Sequence, residues 1–246
     1  MLYLAHSLLC ALRMANLPRH AILEDNSTFH VTWQCHNHTW LLKKSWAKQL
    51  YYKLLLKYKD RYGIFIYSYC FMDNHIHLSG KLSDLKSFSD FFRVVNSCFA
   101  RGCNKQMSRK GQVVMDRFKS PRIQTDRDLL NVMLYIDLNP KRAYKVKHPR
   151  DNEYSSYAYY ADGKEDPLIT PAPSYIELGK TAEQRQQAYQ AMVTEILRND
   201  WKEKKPYSSS YFIGDPEWVT RKHRELREIQ SEQYAAWRER YINRFG

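Results

Sequence analysis

Several residue types are scarce in this chain. It has 8 glycines and 9 prolines in 246 residues, which excludes a collagen-like repeat or a low-complexity chain. Its five cysteines, Cys10, Cys35, Cys70, Cys98 and Cys103, are odd in number and form no Cys-x-x-Cys pair. A secreted disulfide framework and a zinc ribbon both need such pairing, so a reduced, cytoplasmic setting fits best. Residues 1–12 are apolar but lack a basic leader and are too short to cross a bilayer. No longer apolar run follows, so no membrane partner is expected. Acidic residues are also in deficit, at 26 against 39 Lys and Arg, for a net charge of +13.

What is present is ordinary for a globular chain, 43% apolar and 26% charged, and long enough to bury a core. The positive excess points to a polyanionic partner, because Lys and Arg release condensed counterions from phosphates; simple solubility is the alternative. The excess is local. Residues 101–150 carry 13 basic and 4 acidic side chains, and residues 151–180 carry 2 and 6. The basic block is interleaved with a periodic apolar pattern, so it reads as one face of a folded domain.

The β-branched and aromatic run 28–35 predicts a strand. Residues 45–58 place Trp46, Leu50, Leu54 and Leu55 at helical spacing, and Gly63 ends that helix. Strands are predicted at 64–71 and from His75, joined by the turn chemistry of Asp73-Asn74. A helix over 84–103 is predicted with Ser83 as its cap, then short strands at 112–115 and 120–125. Asp126 is expected to cap a helix that Pro140 closes. Charged helical patterns follow over 182–198 and 217–241.

Two patterns carry chemistry. In a strand, residues two apart share a face, so His75 and His77 converge while Ile76 points into the core. Two neutral imidazoles on a rigid strand make half of a divalent-metal site; a chance His-x-His is the bland alternative. A rival, His36-Asn37-His38 with His30 and Cys35, has zinc-ligand types but reads as a solvated turn. On the last helix Tyr135 and Asn139 lie one turn apart. Asn139 offers a carbonyl oxygen and Tyr135 a nucleophilic phenol, although such residues are more often a cap and core.

The run 69–78, Tyr-Cys-Phe-Met-Asp-Asn-His-Ile-His-Leu, resembles the HUH motif (His, hydrophobic, His) of single-tyrosine HUH transposases. The run 135–143, Tyr-Ile-Asp-Leu-Asn-Pro-Lys-Arg-Ala, resembles the catalytic helix of the REP-associated tyrosine transposase branch. Leu17-Pro18-Arg19 with Phe29-His30-Val31-Thr32, the segment 116–120 and Tyr154-Ser155-Ser156-Tyr157 are similar to the same branch, in the same order.

The order of predicted elements matches an α+β fold, a ferredoxin-like βαββαβ sheet with helices on one face, plus one further helix, which the resemblance makes the catalytic-tyrosine helix, and a C-terminal helical extension. The expected organisation is a loose arm over 1–16, a catalytic domain over 17–150, an acidic, Pro-rich connecting segment over 151–180, read as a linker or a strap across the domain, and a helical extension over 181–246. His75 and His77 would be metal ligands with Asn139 the third, for Mg²⁺ or Mn²⁺. Tyr135 would be the nucleophile that forms a 5′-phosphotyrosine link while cutting and rejoining single-stranded, hairpin-bearing DNA in transposition and recombination. A free phenol titrates near ~10, so Tyr135 needs help; Arg117, Lys119 or a metal-bound water are candidates. Arg19, Arg117, Lys119, Arg122, Lys141 and Arg142 are the expected DNA contacts. A nucleoid-associated monomer is expected, with a dimer as the alternative.

Two departures stand out. Ser79-Gly80 falls where relatives often continue apolar, so a short or bulged strand is expected there. The chain past about 180 exceeds the minimal core. A domesticated DNA-binding protein without turnover is the competing reading. A histidine-triad hydrolase is excluded because its third alternating histidine would fall at Ser79.

Overall fold

The computed structural model describes residues 17–199, 202 and 206–245. The predicted arm 1–16 lies outside them.

Strand β1 (Thr28–Gln34) leads through short turns to helix α1 (Ser45–Tyr58), then to β2 (Ile64–Phe71) and β3 (His75–Leu82). Helix α2 (Leu85–Gln106), the two-residue β4 (Arg122–Ile123) and helix α3 (Asp126–Arg142) follow. The sheet order is β2-β3-β1-β4, with a fifth strand, β5 (Phe212–Ile213), beyond β4. The first four strands are antiparallel neighbours and β5 joins parallel. This is the expected ferredoxin-like α+β order, widened by one strand from the C-terminal region.

Strand alternation makes the sheet two-faced. Phe29, Val31 and Trp33 of β1, with Ile76 and Leu78 of β3, form a buried apolar side. The Phe29 ring meets Phe88 of α2 at 4.8 Å, and Trp33 meets Tyr51 of α1 at 5.1 Å and Phe99 of α2 at 5.7 Å. On the opposite side the register lines up His30 with Ser79, Thr32 with His77 and Gln34 with His75. Helix α3 covers this polar side.

Several local expectations are corrected. Helix α2 is capped by Asp84, whose carboxylate accepts from the Ser87 N–H at 2.8 Å, so Ser83 is one residue too early. Helix α3 is capped by Thr125 in a reciprocal box with Asp128, not by Asp126; a hydroxyl cap is best placed just outside the first turn. Pro140 does not close α3, which runs on to Arg142. Residues 112–115 form no strand, only a bridge between Val114 and Cys35. Strand β3 passes through Ser79 and Gly80 without shortening. The irregularity falls instead on β2, between Ile66 and Ser68.

The region after 150 continues the same structure. The Phe71 N–H donates to Tyr154 O at 2.9 Å, Ser156 N–H to Tyr69 O at 2.9 Å and Thr170 N–H to Ile66 O at 2.7 Å, so this segment straps the outer edge of β2 and covers an otherwise open edge. It includes the short helices α4 (Tyr157–Asp162) and α5 (Pro173–Ile176), and α6 (Ala182–Asn199) follows. Tyr157, Tyr160, Tyr175, Tyr189, Phe212 and Leu226 all belong to the core, so the core crosses both boundaries drawn at 150 and 180. The last helix, α7 (Pro216–Phe245), extends from β5. No helix among the described residues is long and apolar enough to cross a membrane.

Candidate functional site

The polar side of the sheet and the inner face of α3 meet around Tyr135. Its ring lies 5.9 Å from that of His77, 6.2 Å from His30 and 5.1 Å from Tyr207, edge-on to each. The Arg142 guanidinium carbon is 5.0 Å from the same ring centroid, and Nη1 of Arg142 donates to the Tyr135 main-chain carbonyl at 3.0 Å. His75 and His77 meet edge to face with centroids 5.0 Å apart. Two residues that the spacing placed on a strand and one that it placed on a helix therefore converge.

The hydrogen bonds of the histidines are specific. His75 Nδ1 donates to Asn74 Oδ1 at 2.7 Å. His77 Nδ1 and His30 Nε2 share one hydrogen bond of 3.0 Å, and His30 Nδ1 is 3.0 Å from Tyr207 O. Burial lowers the pKa of all three rings: His30 to about 4, His75 despite the opposing charge of Asp73, and His77 well below its usual value with further help from His30 and His75. A buried imidazole avoids charge because desolvation penalises the cation.

Whether this donor set suits a divalent cation can be judged from its chemistry. The two strand imidazoles are neutral near pH 7, as ligands must be, and their Nδ1 atoms are already engaged, which leaves Nε2. Asn139 is buried one turn beyond Tyr135, and its Nδ2 donates to Tyr135 O at 3.0 Å, so the amide oxygen is the group left for a ligand. Among the described residues no three His, Cys, Asp or Glu side chains form a cage. His75, His77 and Asn139 together would offer two imidazoles and an amide, a donor chemistry that suits a divalent cation, with Mn²⁺ better matched than Mg²⁺ to nitrogen donors.

The basic residues fall into different settings. Arg19 is 8% exposed; its guanidinium stacks 3.4 Å from the Phe118 ring centroid and donates to Ser120 Oγ at 2.6 Å and Phe118 O at 3.3 Å. That arginine is spent on bracing the 116–120 segment. Arg117 and Lys119 are exposed, the first donating to Leu17 O at 3.1 Å. Arg122 is paired with Glu24. Lys141 and Arg142 form the last turn of α3. The rival His36-Asn37-His38 segment is a surface turn, with Asn37 and His38 at φ of 52° and 54°. Cys35 beside it is buried, and that burial pushes its thiol up to about 11.

Two neighbours of Tyr135 were not linked to it by any motif. His30 stands in the family-like stretch Phe29-His30-Val31-Thr32 and beside the rival histidines, but neither pattern joins it to His77 or Tyr135. Tyr207 is 72 residues from Tyr135 in the chain, and no local pattern links them.

Residues 24–138 match the family model described as "Transposase IS200 like". Over this segment, a little under half of the chain, it is similar to that family. Both strand histidines, His30 and Tyr135 lie inside the matched segment, whereas Asn139, Arg142 and Tyr207 lie beyond it. The fold is similar to a solved structure entitled "Structure of the REP associates tyrosine transposase bound to a REP hairpin", at 20% identity and a TM-score of 0.52, over 64% of this chain and 92% of that one. The curated proteins give no match.

Proposed function

We propose that this IS200-like protein is a metal-dependent single-strand DNA endonuclease and strand transferase that works through a 5′-phosphotyrosine at Tyr135. The observation that carries this reading is the meeting of the Tyr135 and His77 rings, 5.9 Å apart, on the polar side of the sheet. The similarity to a protein solved on a REP hairpin supports a hairpin-bearing single strand as substrate.

Tyr135 Oη attacks the phosphorus and gives up its proton, while the 3′ oxygen of the cut strand leaves and takes one up. The phosphodiester energy is kept in the tyrosyl bond, so a new 3′-hydroxyl can reverse the step without ATP. Arg142 places a fixed positive charge against the nucleophile's ring, where negative charge grows as the proton departs. His75, His77 and Asn139 would hold the cation. When bound it would supply Lewis-acid charge to a non-bridging phosphate oxygen. Arg117, Lys119, Lys141 and Arg142 would meet the DNA backbone, and phosphate contacts set affinity more than sequence choice.

The test is a labelled hairpin oligonucleotide with Mn²⁺ or Mg²⁺, run on a denaturing gel. A protein-linked band is expected from wild type and none from Tyr135→Phe. An equal band from Tyr135→Phe overturns the nucleophile, and hairpin binding with no adduct from wild type favours the domesticated binder.

A further inference from the structure

We propose that His30 is a positioning residue for His77. A one-way hydrogen-bond chain, from His77 through His30 to the main-chain carbonyl of Tyr207, holds His77 as the Nδ1–H tautomer and presents its Nε2 lone pair to a cation. This rests on the reading of His75 and His77 as metal ligands.

The direction of the chain follows from its far end. A peptide carbonyl only accepts, so His30 Nδ1, 3.0 Å from Tyr207 O, carries the hydrogen. A neutral imidazole has one N–H, so His30 Nε2 is then a lone pair and can only accept. Its partner at 3.0 Å, His77 Nδ1, must be the donor. The remaining nitrogen of His77, Nε2, is left without a hydrogen. The two rings are 13° from parallel with centroids 5.3 Å apart. His30 is fully buried, which keeps the ring uncharged and the argument intact.

His75 reaches the same state by a shorter route, through Nδ1–H to Asn74 Oδ1 at 2.7 Å. Both strand histidines therefore offer the same nitrogen, one oriented by its sequence neighbour and the other by a residue 47 positions away. Such partners fix ring orientation and raise ligand basicity. His30 sits across the ladder from Ser79, the position where a third alternating histidine would fall on β3. The fold supplies an imidazole from β1 instead, on the Nδ1 side of His77. The chain ends on Tyr207, so the region beyond residue 200 holds the anchor of the site.

The test uses full-length protein labelled with ¹⁵N-histidine. In the metal-free state, long-range ¹⁵N–¹H correlation is expected to show His77, identified by its absence in His77→Gln, with a protonated Nδ1 and a bare Nε2. His30→Leu keeps bulk without an acceptor; there His77 is expected to become a tautomer mixture. Calorimetric titration with MnCl₂ is expected to give affinity lower by about 10–100-fold in His30→Leu, partly recovered in His30→Gln, which restores an acceptor. Wild-type His77 with the hydrogen on Nε2 overturns the proposal, as does unchanged Mn²⁺ affinity in a folded His30→Leu. If His30→Leu fails to fold, the wild-type tautomer and His30→Gln decide. A wild type with the expected tautomer but no Mn²⁺ binding leaves the hydrogen-bond chain standing and overturns the metal-site reading.

Discussion

Arg142 grips Tyr135 twice, donating to its main-chain carbonyl at 3.0 Å and placing its guanidinium 5.0 Å from the ring centroid. The two are seven residues apart, two turns along α3, so helix geometry itself brings them to one face. The helix can do this only because it continues through Pro140. Arg142→Gln is expected to slow adduct formation on the order of 10²-fold, with Arg142→Lys between it and wild type. The measurement is single-turnover cleavage of a hairpin oligonucleotide at saturating protein. Equal rates in all three would remove Arg142 from the chemistry.

Gly80 is a steric requirement. A Cβ there would lie 2.1 Å from the Phe65 carbonyl oxygen and 2.9 Å from Phe29 Cζ. The Phe65 carbonyl belongs to main chain and cannot rotate away. Gly80→Ala is expected to destabilise the fold by at least about 1–3 kcal/mol, read from the urea midpoint. The departure at Ser79-Gly80 is thus a packing solution, reached by bulging β2 and keeping β3 intact.

Asp137 is fully buried and accepts from Ser156 Oγ at 2.7 Å and Tyr189 Oη at 2.8 Å, tying α3 to the strap and to α6. Burial raises its carboxyl to about 7, against the lowering effect of those two hydroxyls. The groups that face it, Tyr69, Cys70, Tyr157, Tyr160 and Tyr189, are uncharged near neutrality. Between about 4 and 7 the folded state holds the proton that the unfolded state has lost, so this group's contribution falls as pH rises. The buried histidines act with the opposite sign, since their pKa values are lowered and acid favours the unfolded chain. The difference between wild type and Asp137→Asn isolates the carboxyl. Wild type is expected to gain on the variant by up to about 1.4 kcal/mol per pH unit as pH drops from 7 toward 4.5. Parallel stability curves would count against a buried, protonated Asp137.

Lys119 is exposed and sits on the segment that bridges to Thr32 of β1. If it meets a phosphate, Lys119→Ala should weaken hairpin binding for every sequence alike and lower the salt slope by about one counterion. Binding isotherms at several salt concentrations measure this. An unchanged slope would take Lys119 off the DNA path.

Much of the site was legible because it is local. The period-2 spacing of His75 and His77 and the one-turn spacing of Tyr135 and Asn139 are properties of a strand and a helix, whatever packs around them. The caps were read one residue off because Ser83 and Asp84, or Thr125 and Asp126, are equally good caps by type. Arg19 read as a free cation because nothing in Leu17-Pro18-Arg19 shows that Phe118 lies 3.4 Å from it.

By itself the sequence determined the order of the first strands and helices, the basic block over 101–150 and the candidate residues His75, His77, Tyr135 and Asn139. Tertiary structure alone decided which nitrogen of His77 is bare. That choice runs through His30 to the carbonyl of Tyr207, 177 residues from His30. A hydrogen-bond direction depends on every partner down the line, and partners so far apart in the chain meet only when the sheet and its C-terminal cover have closed.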